Sequence, residues 1–60
     1  MTTTIKDDEG NKIIFTDDLV DNKNYVELYV ENMDSTTLFN TLLSVDELER
    51  AVVGFKNRSF

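Results

Sequence analysis

The sequence predicts an α+β domain, a four-stranded antiparallel β meander followed by one C-terminal α-helix packed on the sheet. Three features point to it. Runs rich in β-branched and aromatic residues are separated by turn-forming clusters, "YVELYVE" alternates strictly over Tyr25 to Glu31, and "SVDE" at Ser44 to Glu47 opens a run of helical spacing. One small domain of 60 residues accounts for all of it: hairpin 2–16, acidic loop 17–24, hairpin 25–43 and helix 45–57.

Residues 2–16 read as a β-hairpin around "DDEGN". A three-residue loop of Asp8, Glu9 and Gly10, with Gly10 in the left-handed conformation, sets Asp7 opposite Asn11, Ile5 opposite Ile13 and Thr3 opposite Phe15. That register gathers Ile5, Ile13 and Phe15 on one face and leaves Lys6 and Ile14 on the other, whereas a four-residue loop would split the apolar set. The shorter loop is therefore preferred.

The third strand is the clearest: Val26, Leu28 and Val30 point one way, and Tyr25, Glu27, Tyr29 and Glu31 the other. "STTLFNTLL" returns across a short turn from Asn32 to Ser35, and a simple hairpin places Leu28 opposite Phe39 and Tyr29 opposite Leu38.

The helix carries the strongest local signal. Ser44 and Glu47 form a capping box, in which the Ser44 hydroxyl accepts from the Glu47 backbone N–H and the Glu47 carboxylate reaches back to Ser44; Leu43 and Leu48 occupy the staple positions. Val45, Leu48, Val52 and Phe55 then recur at helical spacing, with Asp46, Glu47 and Glu49 near the positive end of the helix dipole and Lys56 and Arg58 near the negative end. Gly54 costs about 1 kcal/mol relative to Ala inside a helix. It either permits close backbone contact or marks an early helix end, which would leave "FKNRSF" as a tail that docks Phe60. The expected core is Ile5, Ile13, Phe15, Val26, Leu28, Val30, Phe39, Leu43, Leu48, Val52 and Phe55.

Size constrains what this fold can do. A chain this short buries only about 60% of its unfolded surface, and without Cys or His it has neither a disulfide nor the usual zinc ligands. Homodimerisation is the expected remedy. With Val26, Leu28 and Val30 against the helix, Tyr25, Tyr29, Leu38 and Leu42 would gather on the opposite face as the dimer interface.

Twelve acidic residues against six basic ones leave a formal charge of −6. That balance argues against direct binding to nucleic acid or anionic membranes, both of which recruit clustered Lys and Arg, and it favours a basic protein partner. Solubility is the competing explanation of the same charge. No apolar run approaches the ~20 residues of a membrane span, and "MTTTIKDDEG" lacks the basic and apolar regions of a signal peptide, so a cytoplasmic location is expected. The "NRS" at Asn57 reads as a chance sequon in that setting.

Catalysis has little to work with. His and Cys are absent, and the carboxylate pairs at Asp7 to Glu9 and Asp17 to Asp18 fall in predicted turns, where nothing would bury them enough to raise a pKa. Neither a catalytic residue nor a cofactor is predicted. "TDDLVDNKN" lacks the alternation and the glycine of an EF-hand loop, although Asp17 and Asp21 leave weak Ca²⁺ binding as an alternative.

The acids therefore become the candidate partner-binding residues: Asp7, Asp8 and Glu9 at a hairpin tip, Asp17, Asp18 and Asp21 on the loop, and Glu27 and Glu31 along a strand. From Met1 to Leu43 nine acids face three bases. Glu27 and Glu31 stand about 13 Å apart at ~3.3 Å per residue, against one charge per ≈1.7 Å of duplex DNA. One strand is too sparse to imitate DNA, so both loops and a second subunit would have to contribute.

In size, acidity, strand-rich architecture with a terminal helix and lack of catalytic groups, the whole chain resembles the small acidic inhibitor proteins of bacteriophages, some of which are DNA mimics. The resemblance rests on no motif. It implies a non-enzymatic protein that binds and blocks a basic, DNA-binding partner, the eight acids standing in for phosphates. A structural or regulatory homodimer, acidic for solubility, is the alternative.

Overall fold

The computed structural model describes residues 1–58. It contains β1 (Thr2–Lys6), β2 (Lys12–Thr16), β3 (Tyr25–Glu31), β4 (Thr37–Ser44) and α1 (Val45–Lys56), the strands forming one antiparallel sheet in the order β1-β2-β3-β4. Phe60, the expected tail anchor, and Ser59 of the sequon lie outside the described residues.

The first hairpin has the predicted register, with Thr3 opposite Phe15 and Ile5 opposite Ile13. Gly10 has φ 85°. Asp7 organises the turn: its Oδ1 accepts from the N–H of Glu9 at 2.9 Å and of Asn11 at 2.8 Å, while Asp7 N–H donates to the Asn11 carbonyl at 3.0 Å.

The second turn repeats this construction with different residues. Asn32 Oδ1 accepts from Asp34 N–H at 2.9 Å and Thr36 N–H at 3.0 Å, Asn32 N–H donates to the Thr36 carbonyl at 3.0 Å, and Ser35 takes the left-handed position at φ 63°. The loop proper is therefore Met33 to Ser35, closed by Asn32 and Thr36 rather than by Glu31 and Thr36. An irregularity between Val30 and Glu31 then inserts one more residue in β4. Together these two single-residue shifts correct the simple hairpin register: Leu28 lies opposite Thr41, not Phe39, and Tyr29 opposite Asn40, not Leu38. Because the total shift is two, every side chain of β4 beyond the bulge keeps its predicted face.

The pairing defines two faces. The apolar face carries the rows Thr3–Phe15–Leu28–Thr41 and Ile5–Ile13–Val30–Phe39 together with the pair Val26–Leu43, and no position in it is ionisable. The other carries the rows Thr2–Thr16–Glu27–Leu42, Thr4–Ile14–Tyr29–Asn40 and Lys6–Lys12–Glu31–Thr37.

The helix begins where β4 ends. Ser44 is the N-cap and its Oγ accepts from Glu47 N–H at 3.3 Å, while Val45 N–H donates to the Asn24 carbonyl at 2.9 Å and ties the first turn to the start of β3. The reciprocal half of the predicted capping box is replaced. Glu47 Oε1 instead accepts from Arg50 at 3.1 Å, one helical turn onward. The helix continues through Gly54 to Lys56, and a Cβ at Gly54 would meet nothing within 4 Å, so the glycine neither ends the helix nor serves a close approach within one chain.

Burial corrects the expected core. α1 meets the sheet chiefly at β4, Leu48 is half-buried, and every residue from Ala51 to Arg58 is exposed. Of the eleven residues assigned to the core, Ile5 (53% exposed), Phe39 (56%), Val52 (47%) and Phe55 (67%) stand in solvent and the other seven are half-buried. The one buried apolar residue among those described is Ile14, at 6%, on the other face. Ile14 sits on β2 between Thr4 and Tyr29; on the apolar face the helix is exposed beyond Leu48 and leaves Ile5 and Phe39 uncovered.

Candidate functional site

The eight acids proposed as a binding set fall in three places. Asp7, Asp8 and Glu9 occupy the β1–β2 turn, and Met33 of the β3–β4 turn packs against Gly10, its Sδ only 3.0 Å from where a Cβ would be. The two turns are thus neighbours at one end of the sheet, which adds Asp34 to this acidic tip. Asp17, Asp18 and Asp21 lie at the other end, separated from the tip by a five-residue strand, about 17 Å. Glu27 and Glu31 line the face that carries Ile14, Glu31 opposite Lys12 and Glu27 between Thr16 and Leu42.

Three of these carboxylates are engaged within the chain. Asp7, besides its backbone bonds, accepts from the Asn11 side chain at 2.9 Å, and these hydrogen bonds, Asn11 foremost, hold its pKa below the usual 3.8. At the far end the Met1 amino group donates to Asp17 at 2.6 Å and to Asp18 at 3.2 Å, and the Thr2 hydroxyl donates to Asp18 at 3.3 Å. The bonded amino group likewise lowers the pKa of Asp18, while hydrogen bonding to Asp17 and then Asp18 raises that of the amine above 8.0. Among the described residues, Asp8, Glu9, Asp21, Glu27 and Glu31 have no side-chain hydrogen bond or ion pair.

In the acidic loop of residues 17–24, two of the three carboxylates are already engaged. Among the described residues no three carboxylates come together in a way that would hold a cation. Asp17 and Asp18 are instead the counterions of the amino terminus.

Tyr25, Tyr29 and Leu42 share the Ile14 face, Tyr29 half-buried and the other two exposed, while Leu38 is the extra residue of the bulge and has no partner across the ladder. Against the apolar face, at the foot of the helix, lies a hollow of about 370 Å³ whose lining includes Phe15, Val26, Val45 and Leu48 together with the charged Asp17 and Lys23. Sequence reasoning missed this open apolar side, because the helix periodicity is the same whether the stripe covers its own sheet or remains free.

No described helix is long and apolar enough to cross a membrane. Comparison with known proteins finds no matching family model, no matching curated protein and no matching solved structure.

Proposed function

We propose that this chain is a non-enzymatic, acidic interaction protein of the cytoplasm that docks on a basic protein surface, of the kind that binds DNA, and occludes it. The observation that carries this reading is the placement of charge. Residues 1–44 hold nine acids against three bases, whereas residues 45–60 hold three of each, so the entire −6 resides on the sheet and its loops. Helix capping and dipole effects therefore explain none of the imbalance. Asp8, Glu9, Glu27 and Glu31 present unengaged carboxylates, with Asp34 beside them at the tip.

The carboxyl chemistry supports a non-enzymatic role. A general acid needs a pKa raised toward neutrality, yet at Asp7 and Asp18 hydrogen bonds that favour the anion hold the carboxyl pKa down. Such groups remain charged and proton-free at neutral pH.

Capture from nuclease-treated bacterial lysate, with elution by salt and by duplex DNA, tests the reading. The expected result is a basic DNA-binding protein that DNA displaces, and that is no longer retained when Asp8, Glu9, Glu27 and Glu31 are replaced together by Asn or Gln. Retention unchanged by those substitutions would remove the acids from the contact. Asp17 and Asp18 are less suitable for this test, since their loss also frees the amino terminus.

A further inference from the structure

We propose that the apolar face of the sheet and the apolar stripe of α1 together form a self-association surface, on which a second copy of this chain packs in an isologous dimer. Exposed area points to it first. A folded monomer of 6.9 kDa exposes about 4,000 Å², whereas this chain exposes 5007 Å². The surplus, on the order of 1,000 Å², is close to the roughly 800 Å² that each partner contributes to a standard interface. The radius of gyration agrees: 12.9 Å, against about 10 Å for a compact chain of 60 residues.

That surplus has a location. Ile5 and Phe39 stand exposed on the sheet, and Val45, Val52 and Phe55 stand exposed along one side of the helix, where every residue from Ala51 onward to Arg58 is exposed. A sheet with one apolar face and a helix with one apolar stripe each need a second layer, and here the helix covers the sheet only in part. In an isologous pair the helix of one copy covers the Ile5–Ile13–Val30–Phe39 row of its partner, and the reverse contact follows by symmetry.

Charge selects a second copy over a charged partner at this face. All ten paired positions of the apolar face are non-ionisable, so two chains of −6 can meet along those rows without opposing carboxylates, Asp17 and Lys23 entering only in the lining of the hollow at the foot of the helix. The Ile14 face is less suited to self-contact. It carries Lys6, Lys12, Glu27 and Glu31, and two copies meeting there would have to desolvate them. The dimer therefore differs from one built on Tyr25, Tyr29, Leu38 and Leu42, and it leaves Glu27, Glu31 and both acidic loops facing outward.

Light scattering over a wide concentration range, with isotope-filtered NOEs on a mixture of labelled and unlabelled chains, tests the proposal. The expected mass is twice 6.9 kDa, with intermolecular NOEs from Val52 and Phe55 to Ile5 and Phe39. Phe39→Asp and Phe55→Asp should each halve the mass, while Leu42→Asp on the other face should leave it unchanged. If either aspartate variant unfolds, the wild-type NOEs decide alone. A folded wild-type chain at 6.9 kDa throughout overturns the proposal, and so do intermolecular NOEs confined to Tyr25, Tyr29 and Leu42.

Discussion

At the scale of single residues, the two hairpin turns form a matched experiment. Both place an Asx side chain at the first position and a left-handed residue three places on, but the first turn uses Gly10 and the second Ser35. Left-handed backbone costs a residue with a Cβ about 1–2 kcal/mol. Gly10→Ala should therefore destabilise by at least that order, since its Cβ would also press on Met33, whereas Ser35→Gly should stabilise; urea unfolding of the two variants reads both signs. Asp7 adds a pH dependence. Its folded pKa lies below the ordinary 3.8, so the stability it contributes is present above that value and is lost as pH falls through the lower folded one. The Met1 amine runs the other way: raised above 8.0, it contributes below pH 8 and loses that contribution as pH climbs through the raised value. Thermal melts should accordingly fall off at both extremes, the acid limb becoming shallower in Asp7→Ala and the alkaline limb becoming shallower when the amine is acetylated. Gly10 was legible in the sequence because glycine announces its turn. The second turn was not, because Ser35 occupies the same conformation without a glycine to mark it.

At the scale of elements, all four strands and the helix follow from local pattern, and their observed bounds differ from the predicted ones only at the ends. The β3–β4 register required more than pattern. Alternation fixes which side chains share a face, but a shift of two preserves that alternation, so Leu28 opposite Phe39 and Leu28 opposite Thr41 satisfy it equally. Turn chemistry and the bulge near Leu38 broke the tie. In the helix, Gly54 has open space around it and lies away from the apolar stripe, so Gly54→Ala should stabilise by about 1 kcal/mol through helix propensity alone. Chemical denaturation measures this directly. A loss of stability instead would show that another chain approaches the helix at that point.

At the scale of the whole molecule, two long-range effects act together. The −6 charge sits on one part of the chain and repels itself, so added sodium chloride should raise the melting temperature, with the effect largest at low ionic strength. Association adds a second signature, since a dimer that buries the apolar face makes the melting temperature rise with protein concentration. Calorimetry at several salt and protein concentrations separates the two. The acidic set divides along similar lines. Its composition and its bias toward the first 44 residues were readable directly, but that Asp7, Asp17 and Asp18 are held within the chain while Glu27 and Glu31 remain free depends on which atoms the fold brings within hydrogen-bond reach. Spacing between near neighbours was enough to specify the strands, the helix, the faces of the sheet and the sign of the surface. Long-range packing was needed for the register of the second hairpin, the burial of Ile14 in place of Phe39, and the uncovered apolar side. These depend on where the helix goes after Ser44, and an amphipathic stripe specifies that it must be covered without specifying by what.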